Sequence, residues 1–141
     1  MKPIPSCEVY IDGASRGNPG PAGVGVVFVN GDAQPIRQFN AYVGETTNNV
    51  AEYLALIYGM QEALQFGLQT LRVKTDSELL ARQINGQYRV RDPQLRLFHD
   101  LAKHLAQAFR GFSIEHVPRT QNRLADRLAS QAVRAAQASG L

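Results

Sequence analysis

Three consecutive strand-like apolar stretches precede any helical spacing, and that order limits the chain to few folds. Val9 and Ile11 alternate with polar neighbours in Cys7–Asp12, Gly23–Val29 is rich in valine, and Ile36–Val43 follows. The stretch Arg16-Gly-Asn-Pro-Gly-Pro21 separates the first two, and Asn30-Gly31 is a hairpin signal between the second and third. Three antiparallel strands are predicted. Val50–Phe66 then turns to helical spacing, with Gly67 as its stop, and Leu71–Asp76 alternates again. Helices over Ser77–Ile84 and Pro93–Phe109, a last strand over Phe112–Val117 and a terminal helix over Asn122–Ala136 complete the pattern. The expected architecture is α/β: a five-stranded mixed sheet, three strands antiparallel and two reached through helices, flanked by helices on its faces.

A chain of 141 residues buries enough surface to stand as one domain, here 1–141 with an ordered core of about 7–136. Its single cysteine, Cys7, makes no internal disulfide, and folding needs no structural zinc. No charged-then-apolar leader opens the sequence, and no apolar run approaches the roughly 18 residues of a membrane span, so a cytoplasmic monomer away from the membrane is expected. The net charge is +3, but residues 1–71 stand at −3 and residues 72–141 at +6. Such a basic half suits a polyanion, because each Lys or Arg near a phosphate releases condensed counterions. A solvated basic helix face is the alternative.

Asp12 and Asp76 stand where the first and fourth strands end, so neighbouring strands would bring both carboxylates to one edge of the fold. Clustered acids repel and are costly to bury unless a cation or proton neutralises them. Each acid also has a local reading. Asp12-Gly13 fits a turn, Glu52 stands three residues after Asn49 as in a capping box, and Asp76 is able to cap the next helix. Asp126, near Arg123, fits a surface ion pair.

The surrounding strings weigh on the other side. Tyr10-Ile-Asp12-Gly-Ala-Ser-Arg-Gly-Asn-Pro-Gly-Pro-Ala-Gly23, Thr46-Thr-Asn-Asn-Val-Ala-Glu52, Thr75-Asp76-Ser77 and Asn122-Arg-Leu-Ala-Asp126-Arg-Leu-Ala129 together resemble type 1 ribonuclease H, over about Glu8 to Ala132. The resemblance implies a ribonuclease H-like fold and hydrolysis of the RNA strand of an RNA–DNA hybrid, leaving 5′-phosphate and 3′-hydroxyl ends. It implies that Asp12, Glu52, Asp76 and Asp126 bind two Mg2+ ions, with Mn2+ as substitute. Asp12 would bridge both ions, Asp126 would hold the one at the attacking water, and Glu52 and Asp76 the one beside the leaving oxygen. Hard oxygen donors suit either metal.

The hybrid's wide minor groove displays 2′-hydroxyls, so RNA is readable through sugar contacts without reading base sequence. The resemblance implies substrate contacts from Asn18, Asn48, Asn49, Ser77 and Asn122, with helix capping as a second role for Asn49. Glu78 occupies a place where several relatives carry glutamine. The sequence departs from well-known relatives in two further ways. Gln83–Pro93 is short and the chain has no tryptophan, so no basic protrusion is present, and Arg82, Arg89 and Arg91 are the candidates to replace it. Before the last acid, His116-Val-Pro-Arg119 is similar to the subgroup in which this segment replaces a mobile histidine loop, which implies that Arg119 assists at the site. His116 is then a strand residue, and His99 and His104, five apart on a helix, are structural or exposed. Two other functions remain open at this point: cleavage of double-stranded RNA or primer junctions, and nucleic-acid binding without catalysis on the same fold.

Overall fold

The computed structural model describes residues 6–140; residues 1–5 and 141, the outer ends of the expected 1–141 domain, lie outside the described residues. Five strands, β1 (Ser6–Ser15), β2 (Gly20–Val29), β3 (Pro35–Thr46), β4 (Thr70–Thr75) and β5 (Gly111–His116), form one sheet in the order β3-β2-β1-β4-β5. The helices are α1 (Asn48–Gln65), α2 (Glu78–Ile84), α3 (Pro93–Ala106) and α4 (Arg123–Ala138), with a 3-10 turn at Arg119–Gln121. β1 to β3 pair antiparallel, and β4 and β5 continue the sheet in parallel. This is the expected mixed sheet.

β1 runs past Asp12, which corrects the expectation that the strand ends there. Gly13, Ala14 and Ser15 still pair with Val24, Gly23 and Ala22 of β2. The Asp12-Gly13 pair is therefore not a turn; the turn falls at Arg16–Pro19, and β2 starts at Gly20, earlier than its valines suggest. The β1–β4 ladder, by contrast, stops at Ile11–Thr75. Asp12 thus lies on the first rung beyond the fourth strand.

Alternation along β2 feeds both faces of the sheet. Val24, Val26 and Phe28 join Val9, Ile11, Leu56 and Met60 in the main core, while Val27 and Val29 pack with Ala125 and Leu128 of α4 on the opposite face. Both helical layers touch the sheet through glycine. A methyl on Gly13 would stand 2.2 Å from the Ala51 carbonyl oxygen of α1, and one on Gly25 would stand 2.1 Å from the Ala125 carbonyl oxygen of α4. Neither site has room for a side chain, so the backbones of α1 and α4 reach β1 and β2 closely.

Helix starts differ from two local expectations. Thr47, not Asn49, caps α1, its hydroxyl accepting from Val50 N at 3.2 Å. Ser77, not Asp76, caps α2 by accepting from Leu80 N at 3.1 Å. In each case a hydroxyl takes the orphan N–H of the first turn and leaves the neighbouring carboxylate free of that duty. α3 starts as expected for an Asp-Pro pair, with Asp92 accepting from Gln94 N and Leu95 N. At the outer strand β5, the Asn85 side chain donates to the Ile114 carbonyl at 3.0 Å. The other outer strand, β3, is bulged against β2 near Ala22/Gly23 and again near Phe28/Val29. No described helix is long and apolar enough to cross a membrane.

Candidate metal centre

Asp12, Glu52 and Asp76 meet at the end of the β1–β4 ladder, each offering a carboxylate oxygen within 4.8 Å of the others. Asp12 is 4% exposed and Glu52 6% exposed. Asp12 pairs across the ladder with Gly25, so the missing side chain at Gly25 lets the start of α4 descend beside it. On the other face Gly13 seats α1, and the Gly13 N–H donates to Glu52 Oε1 at 2.7 Å. This bond, not a capping box, is what orients Glu52. Asp76 follows the last residue of β4 directly. Asp126 lies in the first turn of α4, close enough to bear on Asp12. Among the described residues no ion pair joins it to Arg123.

The electrostatics follow from this crowding. Burial first, then the charges of Glu52 and Asp76 and the hydrogen bond that the protonated Asp12 donates to Asp126, push the Asp12 carboxyl up to about 10. Burial also raises Glu52, to about 8, against the opposing pull of the Gly13 N–H. Both values mean that the anionic cluster is unstable alone and is stabilised by any cation placed among the carboxylates. Every available donor is an oxygen, with no imidazole or thiolate in the group, which fits a hard divalent ion. One protein cation stands nearby: Arg119 Nε lies 3.7 Å from Asp76 Oδ2, with its side chain 86% exposed.

A family model described as reverse transcriptase-like matches residues 10–132. The chain belongs to the reverse transcriptase-like family. A ribonuclease HI of Halobacterium salinarum is 44% identical over 126 residues, which is 89% of this chain and 63% of that protein, so the chain spans less than two thirds of this relative's length. The crystal structure of RNase H1 from the same archaeon superposes with a TM-score of 0.89 at 43% identity, covering 92% of this chain and 98% of that one. LC11-RNase H1, solved in complex with an RNA/DNA hybrid, gives 0.89 at 38% identity, covering 93% and 99%. The sheet order and helices of this reverse transcriptase-like chain are thus those of the ribonuclease H fold.

The other residues singled out in the sequence of this family member are dispersed around the acids. Asn18, Asn48 and Asn49 are exposed together, with the Asn48 N–H donating to Asn18 Oδ1 at 3.0 Å. Ser77 is half-buried and engaged in capping. Asn122 departs from its expectation: it is 1% exposed, and its amide donates to the Ile11 carbonyl at 2.8 Å, so it presents no surface to a nucleic acid. Arg89 and Arg91 are exposed between α2 and α3. Arg82 is engaged, paired with Glu78 at 3.0 Å and lying over the Tyr88 ring. That ion pair gives a local reason for glutamate at position 78. His116 closes β5 opposite Thr75, and His99 lies edge-on to Tyr53, as structural residues do. Sequence reasoning missed the two glycine seats, although Gly13 lies inside its strings and Gly25 just beyond them; a glycine inside a strand pattern is the signal of close backbone approach.

Proposed function

We propose that this chain is an endoribonuclease that hydrolyses the RNA strand of RNA–DNA hybrids without base specificity, leaving 5′-phosphate and 3′-hydroxyl ends. The observation that carries this reading is the buried, mutually repelling carboxylate group at the end of the β1–β4 ladder, on a fold shared with a ribonuclease H1 solved on such a hybrid. Asp12, Glu52, Asp76 and Asp126 are its catalytic residues, holding Mg2+, or Mn2+ in its place. Bound there, such ions would supply positive charge to the entering and departing oxygens of a phosphoryl displacement. Asp12 would help to hold both ions, Asp126 the one serving the attacking water, and Glu52 and Asp76 the one serving the leaving oxygen. Arg119, 3.7 Å from Asp76 Oδ2, assists substrate or product handling, in keeping with the subgroup that carries His-Val-Pro-Arg before the last acid.

Asn18, Asn48 and Asn49 form the polar patch that meets the RNA sugars, and Ser77 supports the backbone beside Asp76. Residues 1–141 work as one domain, as a monomer in the cytoplasm. Cleavage of matched RNA–DNA, RNA–RNA and DNA–DNA duplexes with Mg2+, Mn2+ or chelator tests the proposal. The hybrid alone is expected to be cut, by either metal and not with chelator. Equal cutting of RNA–RNA would move the activity to double-stranded RNA, and hybrid binding without cutting under either metal would make the chain a binding module.

Arg89 and Arg91 are the exposed cations that stand in for the missing basic protrusion. Replacing both with alanine is expected to raise KM for the hybrid several-fold and to flatten the dependence of log KM on log salt by up to about two phosphate contacts, with kcat unchanged. Steady-state kinetics across a salt series measures this, and an unchanged slope removes both residues from the interface.

A further inference from the structure

Asn122 has features that a surface contact does not explain. It is the residue before α4 and so holds the capping position, yet its side chain makes no capping bond. Instead the side chain crosses to β1, 111 positions earlier, and donates to the carbonyl of the peptide joining Ile11 to Asp12. Ile11–Thr75 is the last rung that β4 supplies, so the asparagine amide takes over where the fourth strand has left the sheet. The main-chain oxygen of Asn122 meanwhile accepts from Asp126 N at 3.1 Å. One residue therefore ties the peptide leading into Asp12 to the amide of Asp126. Its own Oδ1 is buried without a partner, an arrangement that costs stability and that packing alone would not select.

We infer that Asn122 is a positioning residue that sets the spacing between Asp12 and Asp126, and so the place where these two carboxylates would hold a metal ion, without touching nucleic acid. The inference rests on the proposed metal-dependent activity. An aspartate here would lack the N–H donor and bring a further negative charge to the cluster; a serine would cap α4 but is too short to reach Ile11. The asparagine gives up the cap to make the tie.

The experiment compares Asn122→Ala, Asn122→Ser and Asp126→Asn with Ala132→Gly, a helix-weakening change on the inner face of α4 away from the acids. Hybrid cleavage, melting temperature and calorimetric Mn2+ binding to the free protein are measured for each. Asn122→Ala is expected to lose kcat by tenfold to about a hundredfold, as displacement of a reacting group by about 1 Å does, with KM unchanged within about twofold. Its Mn2+ isotherm should shift toward that of Asp126→Asn, and adding Asn122→Ala to Asp126→Asn should cost no further rate. Asn122→Ser regains a cap and so holds its melting temperature, yet should be as slow as Asn122→Ala. Ala132→Gly should melt earlier and keep its kcat.

A raised KM with intact kcat would make Asn122 a substrate contact and overturn the inference. So would additive losses in the double variant, or an equal loss of kcat in Ala132→Gly. If Asp126→Asn itself cleaves and binds Mn2+ as the parent does, the metal assignment falls and this inference with it. A silent Asn122→Ala beside an impaired Asp126→Asn overturns this inference alone.

Discussion

Asp12→Asn is expected to lower hybrid cleavage by at least about a thousandfold and, in the same protein freed of metal, to raise the melting temperature by several degrees. The first effect follows because Asp12 is the carboxylate that Glu52, Asp76 and Asp126 all bear upon, the common member of the proposed ion-binding group. The second follows from the same crowding. A carboxyl raised to about 10 by burial and like charge is held protonated in the fold, whereas the unfolded chain ionises it freely from its ordinary range near 3.8 upward. Between those values the folded state binds the extra proton, so folding stability falls as pH rises through the window.

Glu52, raised to about 8, adds a second contribution of the same sign. Asparagine has nothing to ionise. The stability advantage of Asp12→Asn over the parent should therefore be small near pH 4 and grow toward pH 8, reaching about 1–2 kcal/mol at neutral pH. Saturating Mg2+ should stabilise the parent increasingly as pH rises, because cation and proton compete for the same oxygens, and should leave the variant nearly unmoved. Thermal melts of both proteins across pH, with Mg2+ and with chelator, measure all of this. A parent that melts at the same temperature with and without metal at pH 8, or a variant no more stable than its parent there, would refute the account.

Gly13→Ala is expected to have the second large effect, and a different one. Its added methyl would stand 2.2 Å from the Ala51 carbonyl carbon and oxygen and 2.5 Å from Glu52 N, all backbone of α1, which has no flexible end to swing aside. α1 must lift from β1, at a cost of about 3 kcal/mol, the upper range for overpacking. Lifting it also lengthens the bond from Gly13 N to Glu52 Oε1, so the carboxylate that survives folding is misplaced. Activity should fall on the order of a hundredfold even at temperatures where the variant is fully folded. Gly44→Ala is the comparison: a methyl there meets nothing within 4 Å, though its φ of +83° carries some strain. It should lose modest stability and keep its rate. Equal rates for Gly13→Ala and Gly44→Ala when both are folded would sink the idea that the glycine seat aims Glu52.

These two predictions also mark what could be read in the chain and what could not. The four acids were legible because each sits in a distinctive local string, and the strand and helix periods put them on the right elements. The role of Gly13 was not legible, since an Asp-Gly pair is a common turn signal and only the paired strand reveals that β1 runs on. Thr46-Thr-Asn-Asn offers four successive residues able to cap a helix, and composition cannot tell which one does. The sequence marks Asn122 but not what it does. Nothing in one dimension shows that its amide meets a carbonyl 111 residues away, or that it is sealed from solvent.

The outermost strands carry a further consequence. The Asn85 amide occupies a carbonyl of β5 that an incoming strand would need, and the bulges in β3 break the even spacing of groups along the opposite border. A neighbouring molecule adding a strand, the usual first step toward fibrils, meets a taken carbonyl on β5 and, on β3, a regular stretch confined to Arg37–Tyr42 between the bulges. The length over which copies of this chain could join border to border is thus shorter than the twelve residues of β3.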